Sequence, residues 1–153
     1  MTIRAALPMA LRTAYMALHR RSDAAFAESG VTADQFVLLV TLSRGEALTQ
    51  RELARRMPSD PSTVRAMLVL LEKDGLVCRR PHPSDARART VRLTAEGRRK
   101  LKHLWSVGEP IRETMVDAIG PQEAERLVDL LARVAQALNP DVSTVGSEQS
   151  PGL

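Results

Sequence analysis

The sequence has 153 residues, 44% hydrophobic and 26% charged, which is enough to bury the core of one folded domain. Its single cysteine, Cys78, excludes an internal disulfide framework and a cysteine-rich zinc site. The N-terminus lacks the apolar run of a signal peptide, and no stretch approaches about 18 apolar residues. These features predict a cytoplasmic protein that does not enter a membrane.

Positive charge is concentrated in the middle of the sequence. Residues 44–102 contain 15 Lys/Arg and 7 Asp/Glu, a net charge of +8. The remaining residues contain 7 Lys/Arg and 11 Asp/Glu, a net charge of −4. Such asymmetry is expected when one surface faces a polyanion, although charge alone fits a solvated basic face equally well.

The first two predicted helices flank Gly30, a suitable C-terminal cap. The first carries apolar residues at helical steps, namely Leu7, Leu11, Ala14, Leu18 and Ala25. The second begins with a capping box of Thr32 and Gln35 and runs to Gly45.

A helix-turn-helix is predicted next. Thr49 and Glu52 form a second capping box that begins a short third helix. After a break at residues 58–61, Asp60 can cap a fourth helix that has Pro61 in its first position and stops at 74–75. Two helices separated by so short a break indicate this DNA-binding motif.

A β-hairpin follows the fourth helix. Residues 76–80 and 89–93 read as short strands, and the polar segment 81–88 reads as their loop. A hairpin directly behind a helix-turn-helix is a wing. The predicted fold is therefore mainly α with a small β-hairpin wing.

The C-terminal part is predicted to be helical and to take part in dimerisation. Thr94 caps a helix of about six turns with a kink at residues 108–110, and Gly120-Pro121 separates it from a last helix. That helix has an apolar stripe, namely Ala124, Leu127, Leu131, Val134 and Leu138. The terminal stripes either pack on each other or join a second copy; we favour a homodimer, because a symmetric operator needs a symmetric reader. Residues 140–153 read as a disordered tail.

Candidate DNA-reading residues lie on the exposed side of the fourth helix, which carries Ser62, Thr63, Arg65, Ala66 and Lys73. Arg65 can bond a guanine in bidentate fashion, and Lys73 is placed for a phosphate. For Ser62 and Thr63, capping and phosphate contacts are favoured over base reading. The buried side is predicted to carry Val64, Met67, Leu68 and Leu71.

The wing is rich in arginine, with Arg79, Arg80, Arg87, Arg89 and Arg92 within 14 residues. An arginine at the loop tip can enter a narrow minor groove, where negative potential is concentrated. Asp85 lies two residues before Arg87 and is predicted to hold its guanidinium in position. Surface arginines are usually only solvated, but their number on a predicted wing favours DNA contact.

Five segments occur in the order and at the spacing of one known family: LTQRELA at 48–54, DPSTV at 60–64, LEKDGLV at 71–77, DAR at 85–87 and LTAEG at 93–97. Together they closely resemble the multiple-antibiotic-resistance regulator (MarR) family. The resemblance is tight over 31–97 and loose in the flanking helices. It divides the chain into a dimerisation helix (1–30), a winged helix-turn-helix domain (31–97), C-terminal dimerisation helices (98–139) and the tail (140–153).

The resemblance implies a homodimeric transcription regulator, a repressor in the first instance, that binds a pseudo-palindrome and is released by a small molecule or an oxidant. It also implies that Asp85 and Arg87 are the wing's aspartate and minor-groove arginine. This chain departs from the family at Ala86, where arginine is common. It also departs at Ala66, Val69 and Leu70, where polar residues are frequent, which predicts that specificity depends more on the wing and DNA shape.

An effector pocket for a small aromatic or phenolic ligand is implied between the dimer helices and the DNA-binding lobe. The residues suggested for it are Tyr15, His19, Phe36 and Trp105, each of which can equally be core or surface. Cys78 fits a buried small hydrophobe better than a redox sensor. The histidines form no spaced metal cluster with it, so neither a metal nor a cofactor is predicted.

Two other functions compete with DNA binding. An enzyme is disfavoured because no phosphate-binding loop, nucleophile elbow or paired carboxylates are found. A winged-helix module that binds protein instead of DNA remains as the alternative, although the basic wing argues against it.

Overall fold

The computed structural model describes residues 1–44 and 48–139. These residues form helices α1 (Ile3–Phe26), α2 (Ala33–Ser43), α3 (Gln50–Arg56), α4 (Pro61–Lys73), α5 (Ala95–Val107), α6 (Glu109–Ile119) and α7 (Pro121–Leu138), and strands β1 (Leu48–Thr49), β2 (Val77–Pro81) and β3 (Arg89–Leu93). The mainly helical class with a winged helix-turn-helix is confirmed. Gly45 and the tail 140–153 lie outside the described residues.

The predicted helix starts are confirmed by their hydrogen bonds. The Thr32 hydroxyl accepts from the Gln35 amide at 3.1 Å, and the Gln35 side chain accepts from the Thr32 amide at 3.0 Å. Thr49 and Glu52 repeat this reciprocal pair at 3.1 and 2.8 Å. Each box satisfies amides that the first helical turn leaves free.

The sheet contains one strand more than predicted. Its order is β1-β3-β2 and both pairings are antiparallel, with Leu48 opposite Val91 and Val77 opposite Leu93. The two residues of β1 are too few to show an alternating pattern, so this strand was not predicted. Pro81 was predicted in the loop but ends β2 opposite Arg89; β2 is an edge strand, where a missing amide is tolerated.

The core lies between α2, the helix-turn-helix, the sheet and α5. The predicted buried face of α4 is confirmed, since Val64, Met67, Leu68 and Leu71 are all buried. Phe26 joins them from the end of α1, and the other fully buried side chains come from each neighbouring element: Leu38, Leu39, Leu53, Val77, Val91, Leu101 and Leu104.

The wing and α5 meet at an unusually close contact. A Cβ atom at Gly97 would lie 2.0 Å from the carbonyl oxygen of Leu76, so only glycine fits there. Thr94 fixes the same junction, because its hydroxyl donates to the Gly75 carbonyl at 2.6 Å and accepts from the Gly97 amide at 2.9 Å. The start of α5 is thereby joined to the base of the wing.

The terminal helices leave apolar side chains exposed. No residue of α7 is buried, although it is 18 residues long. The predicted break in the long helix is confirmed, because α5 ends at Val107 and α6 begins at Glu109. Exposed apolar side chains occur along α1, α6 and α7, among them Leu7, Leu11, Tyr15, Val116, Ile119, Leu127 and Leu131.

Over residues 1–44 and 48–139, no single helix is both long enough and apolar enough to span a membrane. One pair of consecutive helical segments, Ile3–Ser29 and Ala33–Ser43, meets both criteria when taken together, but the two are bent by 84° relative to each other.

Candidate nucleic-acid interface

The predicted reading residues of α4 all lie on its exposed side: Ser62, Thr63, Arg65, Ala66 and Lys73. The Thr63 amide and hydroxyl both donate to the Asp60 carboxylate, at 3.0 and 2.6 Å. These bonds lower the pKa of Asp60, first through the Thr63 hydroxyl and then through its amide. Asp60 therefore caps the helix and the Thr63 hydroxyl supports that cap rather than satisfying an amide itself, whereas Arg65 is exposed near the start of the helix.

Two arginines of α3 adjoin this surface and were not among the sequence candidates. Arg51 and Arg55 line a cleft of about 420 Å³ together with Arg65 of α4, and Gln50 and apolar side chains of both helices complete the lining. The positions of Arg51 and Arg55, four residues apart and either side of the buried Leu53, place them together on the outer face of α3. That spacing in the sequence could have identified both arginines as candidate DNA contacts.

The wing tip is held by hydrogen bonds within the loop. The Asp85 carboxylate accepts from the Arg87 backbone amide at 2.9 Å, and the Asp85 carbonyl accepts from the Ala88 amide at 3.1 Å. The His82 amide donates to the Ala88 carbonyl at 3.0 Å. Asp85 was predicted to hold the guanidinium of Arg87; among the described residues no ion pair joins them, so Asp85 shapes the backbone of the tip instead.

Arg79 occupies a different position from the other wing arginines. Its guanidinium forms an ion pair with Glu72, on the last turn of α4, and its side chain is only 28% exposed. This pair connects the base of the wing to α4. Arg79 is thus placed to position the wing, whereas Arg80, Arg87, Arg89 and Arg92 are exposed.

Cys78 is on β2 opposite Arg92, as its predicted place on a strand requires. It is half-buried rather than buried. Within the described residues, no three histidine, cysteine, aspartate or glutamate side chains come together as metal ligands. The expectation of no metal stays a prediction.

The four residues suggested for an effector pocket form two aromatic contacts. Tyr15 and His19 lie on α1 with ring centroids 5.7 Å apart, and Phe36 of α2 lies 6.2 Å from Trp105 of α5. His19 also lies 3.3 Å from Asp23 and, across to α2, 3.5 Å from Asp34. Both contacts are at the junction of α1, α2 and α5, and the pocket itself stays a prediction.

Known proteins match this chain in sequence and in fold. The MarR family model matches residues 31–88. The uncharacterized HTH-type transcriptional regulator YdgJ of Bacillus subtilis is 30% identical over 72% of this chain and 68% of its own length. The HTH-type transcriptional repressor MdtR of the same organism is 29% identical over 74% of each chain.

Among solved structures, Sco3205 of Streptomyces coelicolor, a MarR family transcriptional regulator in complex with DNA, matches with a TM-score of 0.82 at 25% identity, covering 92% of this chain and 95% of its own. The family is one of transcription regulators and not of enzymes. Sequence, fold and wing together show that this chain belongs to the MarR family of transcription regulators.

Proposed function

We propose that the protein is a homodimeric repressor that binds a pseudo-palindromic operator in duplex DNA. The observation that carries this proposal is the joining of three cationic elements in one lobe. Arg51 and Arg55 of α3 share a cleft with Arg65 of α4, and the Glu72–Arg79 pair attaches the wing to the other end of α4. Cationic side chains on both helices and the wing can neutralise successive phosphates.

The base contacts that we assign follow from this placement. Arg65 is exposed near the N-terminus of α4, the part of a recognition helix that approaches base edges. Arg87 is at the tip of the loop that Asp85 shapes, so we assign it to the minor groove. Lys73, Arg80 and Arg89 are assigned to phosphates.

A second copy of the chain is the proposed cover for the terminal helices. Leu127 and Leu131 of α7 are 44% and 39% exposed, and Leu7 and Leu11 of α1 are 54% and 39% exposed. Exposed apolar stripes at helical spacing on one protomer are typical of a subunit interface. A dimer would also set the distance between two α4 helices to one turn of DNA.

The proposed signal for release from DNA is a small aromatic or phenolic molecule. The contacts of Tyr15 with His19 and of Phe36 with Trp105 are at the point where α1 and α5 meet the DNA-binding lobe. A ligand that separates Phe36 from Trp105 would alter that junction.

A DNA-binding regulator acts beside the chromosome, which supports the cytoplasmic location predicted from the sequence.

The test is a salt titration of binding to random duplex DNA. We expect log Kd to rise linearly with log salt, because phosphate contacts release counterions. Arg87→Ala should weaken binding by a few kcal/mol, while its circular dichroism spectrum and its sedimentation should match those of the wild type. No binding at low salt would favour the protein-interaction module, and an unchanged affinity of Arg87→Ala would remove the wing from the interface.

A second experiment separates base reading from phosphate contact. Sequence selection from a random library should give a less defined motif with Arg65→Ala, because a bidentate arginine–guanine contact is worth about 1–3 kcal/mol of discrimination. An unaltered motif would contradict that role for Arg65.

A further inference from the structure

The middle of the exposed face of α4 is apolar. At 100° per residue, Ser62, Ala66, Val69 and Lys73 form the strip opposite the buried Leu71. Val69 is 50% exposed, and Ala66 is exposed beside it. Removing this apolar pair from water on contact with a partner would be favourable.

From this placement we infer that Ala66 and Val69 contact the 5-methyl groups of thymines in the major groove. The inference rests on the proposed DNA-binding function and specifies which base α4 prefers. Neither side chain can form a hydrogen bond, and the thymine methyl is the one apolar group that base pairs present in the major groove.

The flanking charges favour DNA as the occupant of this patch. Arg65 precedes Ala66, and Lys73 follows Val69 by one turn on the same strip. Arg51 and Arg55 lie across the adjoining cleft. An apolar patch within a cationic surface matches the major groove, where methyl groups lie between two rows of phosphates.

The spacing of the two side chains limits how many thymines they reach. Residues three apart rise about 4.5 Å along a helix, and base pairs are stacked about 3.4 Å apart. Ala66 and Val69 therefore correspond to one or two neighbouring base pairs in each half-site. Val37 is a valine on α2, outside this strip, and is 39% exposed, so Val37→Ala serves as a matched control.

The test removes one methyl group from the DNA at a time. Duplexes recovered by selection from a random library with the wild-type protein are resynthesised with deoxyuridine replacing each thymidine in turn. We expect one or two positions per half-site where this change weakens binding about fourfold, the loss of one buried methyl group. Selected sequences without thymine at a fixed place in the half-site would overturn the inference.

Matched variants identify the protein side of the contact. Val69→Ala should bring the ratio of affinities for the thymine and uracil duplexes toward one at one of those positions, whereas Val37→Ala should leave this ratio unchanged. Equal affinity ratios in wild type and Val69→Ala, or a loss of the ratio in Val37→Ala instead, would overturn the assignment. Binding to random duplex with its salt dependence would persist in both cases, so the proposed function would stand; if the wild type binds no duplex, both fail.

Discussion

Helices α4 and α7 are both amphipathic, yet they use their apolar faces differently. The apolar face of α4 is covered within the protomer, since Val64, Met67, Leu68 and Leu71 are buried. In α7 no residue is buried. An apolar stripe in a sequence thus indicates that a helix has a partner, but it does not tell whether that partner is in the same chain.

The largest expected effect tests the covered helix. Leu68 is fully buried, so Leu68→Ala should lower the free energy of unfolding by about 2–5 kcal/mol. Leu70→Ala, at a half-exposed position on the same helix, should change it by less than about 1 kcal/mol. Urea denaturation at several protein concentrations measures both, and the Leu68 effect should not depend on concentration. Equal effects at the two positions would contradict the assigned face.

A second prediction concerns the junction between the lobe and the terminal helices. Gly97→Ala should lower the free energy of unfolding by about 1–3 kcal/mol, because the new Cβ must displace the Leu76 carbonyl. Ala95→Gly on the same helix, at an exposed position, is a control for helix propensity alone. Thermal unfolding followed by circular dichroism measures the change, and a Gly97→Ala protein as stable as the wild type would show that the contact can relax.

The exposed helix should behave differently from the covered one. Leu131→Ala on α7 should weaken the proposed dimer by about 1 kcal/mol for each protomer through lost apolar burial. Its melting temperature should therefore fall most at low protein concentration. Sedimentation equilibrium gives the association constant. A concentration-independent loss of stability would place Leu131 in an intramolecular contact and break the comparison.

The smallest effect is a pH dependence at the start of α3. The bond from the Thr49 amide lowers the pKa of Glu52 below its ordinary value of 4.5, so ionised Glu52 stabilises the folded state above about pH 4.5. That contribution is lost as the pH falls through the lowered pKa. Denaturation of Glu52→Gln and the wild type should differ slightly at pH 7 and converge at acidic pH. A difference independent of pH would show that the charge is immaterial.

Helix boundaries were predictable because their determinants are local. The capping boxes at Thr32 and Thr49 and the Asp60-Pro61 start are set by residues within four positions of each other, and the structure has all of them. Strand β1 was not predictable, because its two residues are defined by pairing with β3, some forty positions away in the chain.

The candidate interface was predicted in part for the same reason. Arg65 and Arg87 follow from their places in a helix and a loop. The role of Arg79 could not be predicted from its place in the sequence, because Arg79 and Glu72 meet only after β2 folds back on α4. The cleft that unites Arg51 and Arg55 with Arg65 likewise depends on how two helices cross.

The close approach of Gly97 to Leu76 has a mechanical consequence when it is combined with the Glu72–Arg79 pair. One contact joins the wing to α5 and the other joins it to α4, so we expect the wing to move with these two helices rather than independently. A tilt of α5 would then carry the hairpin and α4 with it. In the proposed dimer, DNA affinity would be controlled through the separation of two such units rather than through the shape of either.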